Sequence, residues 1–246
     1  MNRKNVLFVL LMLMLGLSSA SAQQKIYIVS AGIADYPGSN MDLTLCANDA
    51  AVIKGVFQKN KRANVVLLQN SRATKSAILS AMRSQFAKAT KNDAILFFFS
   101  GHGSPGNIIC HDGQLDYKSI KKIMGKSKAK SKMIFVDACF SGKMRNEQRT
   151  QHNTSVPNNL RNSNIMFFLS SRSDETSIEN PSMRNGFFTA YLQRGLTGGA
   201  DANKDRVITA RELFVFVSQG VKRISEDRQH PVMWGKFSDN MPVITW

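Results

Sequence analysis

The chain has 246 residues and a formal net charge of +16, from 33 Lys and Arg against 17 Asp and Glu. This length is enough for one large α/β domain with a substantial core. The positive charge would favour anionic partners, but lysines cluster in Lys121–Lys132, where no aromatic residues alternate with them to stack on bases. The composition therefore indicates a solvated basic surface, and we do not expect nucleic-acid binding.

The first 22 residues have the pattern of a cleaved signal peptide. Arg3 and Lys4 precede an apolar run over Val6–Leu17 that is too short to span a bilayer, and Ala20–Ala22 supplies a cleavage site of small residues. We therefore expect a mature domain of residues 23–246 that is secreted or periplasmic. No later segment is long and apolar enough to predict a membrane span.

Strands and amphipathic helices alternate along the rest of the chain. Apolar runs predict strands over Lys25–Ala34, Asn64–Leu68, Ala94–Ser100, Met133–Ala138, Ile165–Ser171 and Pro231–Gly235, and a hairpin over Asn107–Tyr117. Helices are predicted over Asn48–Gln58, from Thr74 as N-cap to about Ala89, and over Tyr117–Met124, Gly186–Leu196 and Ala210–Ile224. Because the main strands are continuous apolar runs, we expect the α/β class, with a mostly parallel central sheet of about six strands and helices on both faces.

Two of the predicted strands lead into reactive side chains set among small residues. Ligands of open α/β sheets bind beyond the carboxyl ends of the strands, and His102 and Cys139 fall there. If the two strands are neighbours, these residues form a Cys–His dyad in which the thiolate attacks a carbonyl. Gly101 and Gly103 would let a substrate backbone approach, and the amides of Gly103 and Cys139 could stabilise an oxyanion. The alternative is a small buried cysteine and a histidine in a turn.

The motifs around these two residues resemble those of a known family. The segments FFFSGHGS and FVDACFSG resemble the paired histidine and cysteine motifs of caspase-like cysteine peptidases, specifically metacaspases and their bacterial relatives. The segments LCANDA, SSRSDETSIE, GFFTAYLQRGL and QHPVMWG extend the resemblance over nearly the whole mature chain. The resemblance implies the caspase–haemoglobinase fold, with His102 as general acid/base and Cys139 as nucleophile.

Acidic residues near the predicted dyad suggest the substrate. Asp137 lies two residues before Cys139, so it would share a face of the strand, and Asp49 opens the first helix at the same sheet edge. Two carboxylates in a pocket would favour a cationic P1 side chain. The resemblance extends to the metacaspase pocket for basic residues, which implies Cys46, Asp49, Ser100 and Asp137 here and cleavage after Arg or Lys. The alternatives are helix-dipole stabilisation by Asp49 and a structural hydrogen bond of Asp137.

The three cysteines are Cys46, Cys110 and Cys139, so at least one is unpaired within the chain. A disulfide between Cys46 and Cys110 is one possibility, but the pocket resemblance favours a free thiol at Cys46.

A segment between the last two helices has part of the pattern of an EF-hand calcium loop. Its candidate ligands, at loop positions one, three, five and twelve, are Asp201, Asn203, Asp205 and Glu212. Arg206 stands where such loops have glycine, which weakens the prediction of Ca²⁺. The competing interpretation is a capping box between Thr209 and Glu212. We expect no cofactor to be required for catalysis.

The polar segment Ser141–Asn164 follows Cys139 directly and has no helical or strand periodicity. It contains the candidate self-processing sites Lys143, Arg145, Arg149 and Arg161, and Lys121–Lys132 is a competing site of cleavage.

The sequence thus predicts an exported cysteine endopeptidase that is monomeric and acts on peptides or proteins with a basic P1 residue. Two other classes stay open: a catalytically idle caspase-like fold that serves as a secreted binding module, and a basic surface-binding protein whose charge is its function.

Overall fold

A computed structural model describes residues 24–139, 164–171 and 183–246. The predicted signal peptide, residues 1–22, lies outside the described residues, as do the candidate processing sites Lys143, Arg145, Arg149 and Arg161. In the described ranges, no helix is both long and apolar enough to cross a membrane.

In the described residues, ten strands form one large sheet and one small one. They are β1 (Ile26–Gly32), β2 (Ala63–Gln69), β3 (Ala94–Ser104), β4 (Asn107–Cys110), β5 (Gly113–Asp116), β6 (Ser131–Cys139), β7 (Met166–Leu169), β8 (Val207–Thr209), β9 (Val232–Trp234) and β10 (Pro242–Thr245). The large sheet has the order β2-β1-β3-β6-β7-β9, and only β9 runs antiparallel along this path. The hairpin β4–β5 pairs with the end of β3, and β8 pairs with β10. The predicted, mostly parallel sheet is confirmed.

Five α-helices of the part of the chain that the structure describes cover the two faces of the large sheet. They are α1 (Cys46–Gln58), α2 (Lys75–Phe86), α3 (Tyr117–Lys126), α4 (Phe187–Arg194) and α5 (Ala210–Ile224). Alternate strand residues point to opposite faces. On one face Val29, Phe97 and Val136 pack in the core that α2 and α3 cover. On the other face Leu96 and Phe135 belong to the core covered by α1, α4 and α5.

The observed helix boundaries agree with those predicted from the sequence to within a few residues, and the local structure explains where they fall. The predicted cap of α2 is present, because the Thr74 side chain accepts a hydrogen bond from the Ala77 amide at 3.2 Å. α1 begins at Cys46, two residues earlier than predicted, so Asp49 lies in its first turn and is not its first residue. α4 ends at Arg194, where the chain enters a wider turn over Gly195–Gly199.

Two strand predictions were wrong in detail. β3 continues to Ser104, four residues past its predicted end, because β4 pairs with Gly103 and Ser104. His102 therefore lies within a strand and not in a turn after it. Pro231–Gly235 holds a strand, β9, as predicted, but β9 is not the last strand, since β10 follows and pairs with β8. β8 and β10 have three and four residues, which is too short for a periodic signal. Each is held by the other from more than 30 residues away along the chain.

Candidate active site

The positions of His102 and Cys139 are paired across neighbouring parallel strands. In the β3–β6 register, Ser100 pairs with Asp137 and His102 pairs with Cys139. Both strands are apolar for most of their length, and their carboxyl ends meet at one edge of the sheet. Neighbouring strands lie about 4.8 Å apart, so the register brings the two predicted catalytic positions together.

The His102 side chain is partly exposed and is held by the loop that follows β1. Its Nε2 atom lies 2.7 Å from the Met41 carbonyl oxygen. Because a carbonyl oxygen can only accept a hydrogen bond, Nε2 carries the proton and donates it. In the neutral ring, Nδ1 is then the nitrogen free to accept a proton. The geometry thus assigns the basic atom of the imidazole.

A tyrosine packs beside the same histidine. The rings of Tyr36 and His102 are tilted by 46° with their centroids 4.9 Å apart, and the His102 amide donates to the Tyr36 hydroxyl at 2.9 Å. Sequence reasoning missed both Tyr36 and Met41. The segment between β1 and α1 has no strong periodic pattern, and a backbone carbonyl leaves no signal in a sequence.

Asp49 lies behind this edge and is 1% exposed. Its carboxylate accepts hydrogen bonds from Asn185 Nδ2 at 2.8 Å, the Gly186 amide at 3.2 Å and Ser100 Oγ at 2.8 Å. Burial, followed by the charge of Asp137, raises the pKa of Asp49 to about 8. At neutral pH the Asp49 carboxyl therefore favours its protonated form.

Asp137 is 6% exposed and is held mainly by α4. Its Oδ2 atom accepts from the Thr189 hydroxyl at 2.7 Å and from the Thr189 amide at 3.2 Å. Gly186 lies between the two acids, since a Cβ there would come within 2.9 Å of Asp137 Oδ2 and 3.5 Å of Asp49 Oδ2. The N-terminus of α4 thus contacts both carboxylates, which suits its positive helix-dipole end.

Of the four predicted pocket residues, Asp49, Ser100 and Asp137 come together, and Cys46 is buried one turn before Asp49 on α1. The sequence did not identify Asn185, Gly186 or Thr189 as neighbours of the acids. The motif GFFTAYLQRGL contains two of them, but nothing local in it indicates contact with a carboxylate more than 50 residues away.

No disulfide joins the other two cysteines of the described residues. Cys46 and Cys110 are both buried thiols, so the possible bridge between them is absent. Burial, with the nearby charge of Asp112, raises the pKa of the Cys110 thiol to about 12. Cys110 is therefore protonated at neutral pH and is a poor nucleophile.

In the candidate calcium loop, the side chains of the predicted ligands form hydrogen bonds with other residues of the same loop. Asn203 and Asp205 bond to each other, and Asp201 Oδ2 accepts from the Arg206 amide at 3.0 Å. The capping box is present, with Glu212 accepting from both the amide and the hydroxyl of Thr209. Within the described ranges, no three His, Cys, Asp or Glu side chains converge as metal ligands do. Binding of Ca²⁺ by this loop stays a prediction.

Comparison with known proteins identifies the family of the chain. A family model described as the caspase domain matches residues 28–241. The chain belongs to the caspase domain family. Caspase-domain proteins are cysteine peptidases. The match therefore confirms the resemblance that the histidine and cysteine motifs indicate.

Solved structures give the same fold for this caspase domain. It is similar to a protein of Geobacter sulfurreducens at a TM-score of 0.65 and 16% identity, covering 87% of this chain and 95% of the other. It is also similar to caspase-1 from Spodoptera frugiperda at a TM-score of 0.64 and 16% identity, covering 87% of each chain. At this identity the likeness concerns the fold alone. Among curated proteins no sequence match was found.

Proposed function

We propose that this caspase domain is an exported cysteine endopeptidase that uses His102 and Cys139 to cleave peptide bonds after Arg or Lys. The observation that carries the proposal is the pairing of His102 with Cys139 in the β3–β6 register. The hydrogen bond from His102 Nε2 to the Met41 carbonyl supports it, because it leaves Nδ1 available for proton transfer.

In the proposed reaction His102 Nδ1 takes the thiol proton of Cys139. The thiolate attacks the scissile carbonyl, and the amides of Gly103 and Cys139 stabilise the oxyanion of the tetrahedral intermediate. The intermediate collapses to a thioester as the imidazolium gives its proton to the leaving amine. Water, deprotonated by His102, then attacks the thioester and releases the carboxylic acid and the Cys139 thiol.

The proposed preference for Arg or Lys at P1 rests on Asp49 and Asp137. Burial, and then repulsion between the two carboxylates, raises the pKa of Asp49. A P1 cation placed near them would neutralise that repulsion and take over the role of the proton on Asp49. An acidic P1 side chain would increase the repulsion, so the same pair disfavours cleavage after Asp.

A fluorogenic peptide series tests the function directly. Reduced, purified protein is assayed on matched substrates with Arg, Lys, Asp or Leu at P1, beside Cys139→Ala as the blank. We expect turnover after Arg and Lys and little after Asp. Equal cleavage after Asp and Arg would contradict the assigned pocket. No turnover of any substrate by folded protein would favour the idle fold that serves as a binding module.

We also propose that the enzyme cleaves itself after Lys143, Arg145, Arg149 or Arg161. The support is chemical: these residues match the proposed P1 preference and follow the nucleophile along the chain. Parent and Cys139→Ala proteins are incubated side by side, and new N-termini are mapped by mass spectrometry. Fragments that begin after these residues in the parent alone support self-processing, whereas an intact and fully active parent excludes it.

A further inference from the structure

Tyr36 lies in the loop between β1 and α1 and is 4% exposed. Its amide donates to Asp42 Oδ1 at 3.0 Å, and the Ala34 amide on the same loop donates to Asn70 Oδ1 at 3.0 Å. These bonds fix the loop on both sides of the ring. Tyr36 is therefore a fixed part of the fold at this edge of the sheet.

The Tyr36 hydroxyl joins two pieces of backbone that are distant in sequence. It accepts from the His102 amide at 2.9 Å and donates to the Ile109 carbonyl oxygen at 3.0 Å. An amide can only donate and a carbonyl can only accept, so the direction of both bonds is determined. Burial raises the pKa of the Tyr36 phenol further above its ordinary value, so the hydroxyl keeps its proton.

The ring of Tyr36 limits where the imidazole can go. It packs against the His102 ring at 4.9 Å between centroids, while the Met41 carbonyl of the same loop accepts from Nε2. The loop thus contacts His102 at its amide, at one ring face and at one ring nitrogen. Three contacts from one fixed loop leave the imidazole little freedom to turn.

Gly101 makes room for this arrangement. A Cβ at Gly101 would lie 2.6 Å from the Tyr36 hydroxyl oxygen, which is too close for any side chain. The glycine before the histidine therefore lets the tyrosine hydroxyl reach the His102 amide. This is a packing reason for part of the motif that the sequence alone had linked to substrate approach.

We propose that Tyr36 is a positioning residue for His102, which holds the imidazole in the orientation that the cysteine needs. The proposal rests on the proposed function, because it assigns Tyr36 a role in the reaction of His102 with Cys139. Tyr36 itself contacts neither the substrate nor the reacting atoms in this scheme. Its effect is transmitted through the backbone and the ring of His102.

The test is Tyr36→Phe, which keeps the ring and removes the hydroxyl. The matched control is Tyr117→Phe, since the Tyr117 hydroxyl is also buried and has no hydrogen-bond partner among the described residues. We expect kcat to fall about tenfold in Tyr36→Phe, with KM within about twofold of the parent, because misplacement of a catalytic group costs rate more than binding. Tyr117→Phe should leave both constants unchanged.

A second measurement separates positioning from loss of stability. Alkylation of Cys139 by iodoacetamide is followed against pH, and the labelled peptide is identified by mass spectrometry so that Cys46 and Cys110 do not interfere. His102→Ala defines the full shift of the pH midpoint to higher values, since it removes the cation that favours the thiolate. We expect Tyr36→Phe to shift the midpoint part of the way and Tyr117→Phe not at all.

The outcomes distinguish this proposal from the function it rests on. If His102→Ala leaves the alkylation midpoint of the parent unchanged, His102 does not act on Cys139, and the proposed function fails. If His102→Ala shifts the midpoint but Tyr36→Phe changes neither the midpoint nor kcat, Tyr36 is only structural and the positioning role is overturned. An equal loss of kcat in Tyr117→Phe would overturn it as well.

Discussion

His102 and Asp49 lie at the same end of the sheet, yet the two side chains differ in their exposure to water and in the charges around them. The His102 ring is partly exposed and is held by a backbone carbonyl and an aromatic ring, neither of which carries charge. Asp49 is buried, accepts three hydrogen bonds and faces a second carboxylate. Under the proposed function, the group that exchanges protons is left accessible, whereas the group that attracts the P1 cation is kept away from water.

The largest effect we expect comes from breaking the dyad. Cys139→Ala should abolish peptide hydrolysis and leave the fold intact, because it removes only the nucleophile. His102→Ala should lower turnover by several orders of magnitude, since acid–base catalysis alone contributes about 10²–10⁴. Kinetics with circular dichroism on each variant check this.

The matched control for the dyad is His230→Ala, because the ring of His230 contacts Asp227. Turnover within tenfold of the parent in either Cys139→Ala or His102→Ala would reject the dyad.

Replacing either buried acid should change specificity and leave the chemistry intact. We expect Asp49→Asn and Asp137→Asn each to cost about 2–5 kcal/mol of transition-state binding for Arg substrates, because a desolvated cation loses a partner. Cleavage of a Leu substrate should change little. The measurement is kcat/KM for both substrates, with Asp239→Asn as the control, since Asp239 pairs with Arg211 at the surface. A uniform loss on both substrates would assign the acids a structural role.

The raised pKa of Asp49 also predicts how stability depends on pH. The folded state keeps a proton on the carboxylate pair up to about pH 8, whereas the unfolded chain releases it near pH 4. The unfolded state therefore binds fewer protons between these values, and the contribution of Asp49 to the free energy of unfolding falls as pH rises through this window. Denaturant unfolding of parent and Asp49→Asn at several pH values isolates the effect. A constant difference between the two proteins from pH 4 to pH 8 would contradict it.

A smaller change, in the free energy of unfolding, should follow when the contact between α4 and Asp137 is lost. Thr189→Val removes the hydroxyl that donates to Asp137 Oδ2 at 2.7 Å but keeps the shape of the side chain. Losing a buried hydrogen bond to a charged group costs about 1–3 kcal/mol of unfolding free energy. Thr197→Val is the control, because that hydroxyl is exposed in the turn that follows α4, and the variant should stay within about 0.5 kcal/mol of the parent. Equal stability of the two variants would show that the Thr189 bond contributes nothing.

The sequence by itself determined the class of fold and indicated which residues are the candidates for catalysis. Continuous apolar runs such as Ala94–Ser100 predict buried parallel strands, because such strands are covered on both faces and need no alternation. His102 and Cys139 stood out because a reactive side chain at the carboxyl end of a core strand is at the place where α/β sheets bind ligands. Both signals are local, and they can be seen without knowing which strands are neighbours.

Only the tertiary structure decided what surrounds those residues. The Met41 carbonyl and the Tyr36 hydroxyl reach His102 from more than 60 residues away. Asn185 and Thr189, which donate to Asp49 and Asp137, lie 136 and 52 residues from them along the chain. Hydrogen bonds to backbone atoms carry no side-chain signature, and desolvation of a carboxylate depends on everything packed around it. The tautomer of the histidine and the raised pKa of Asp49 therefore follow from long-range packing.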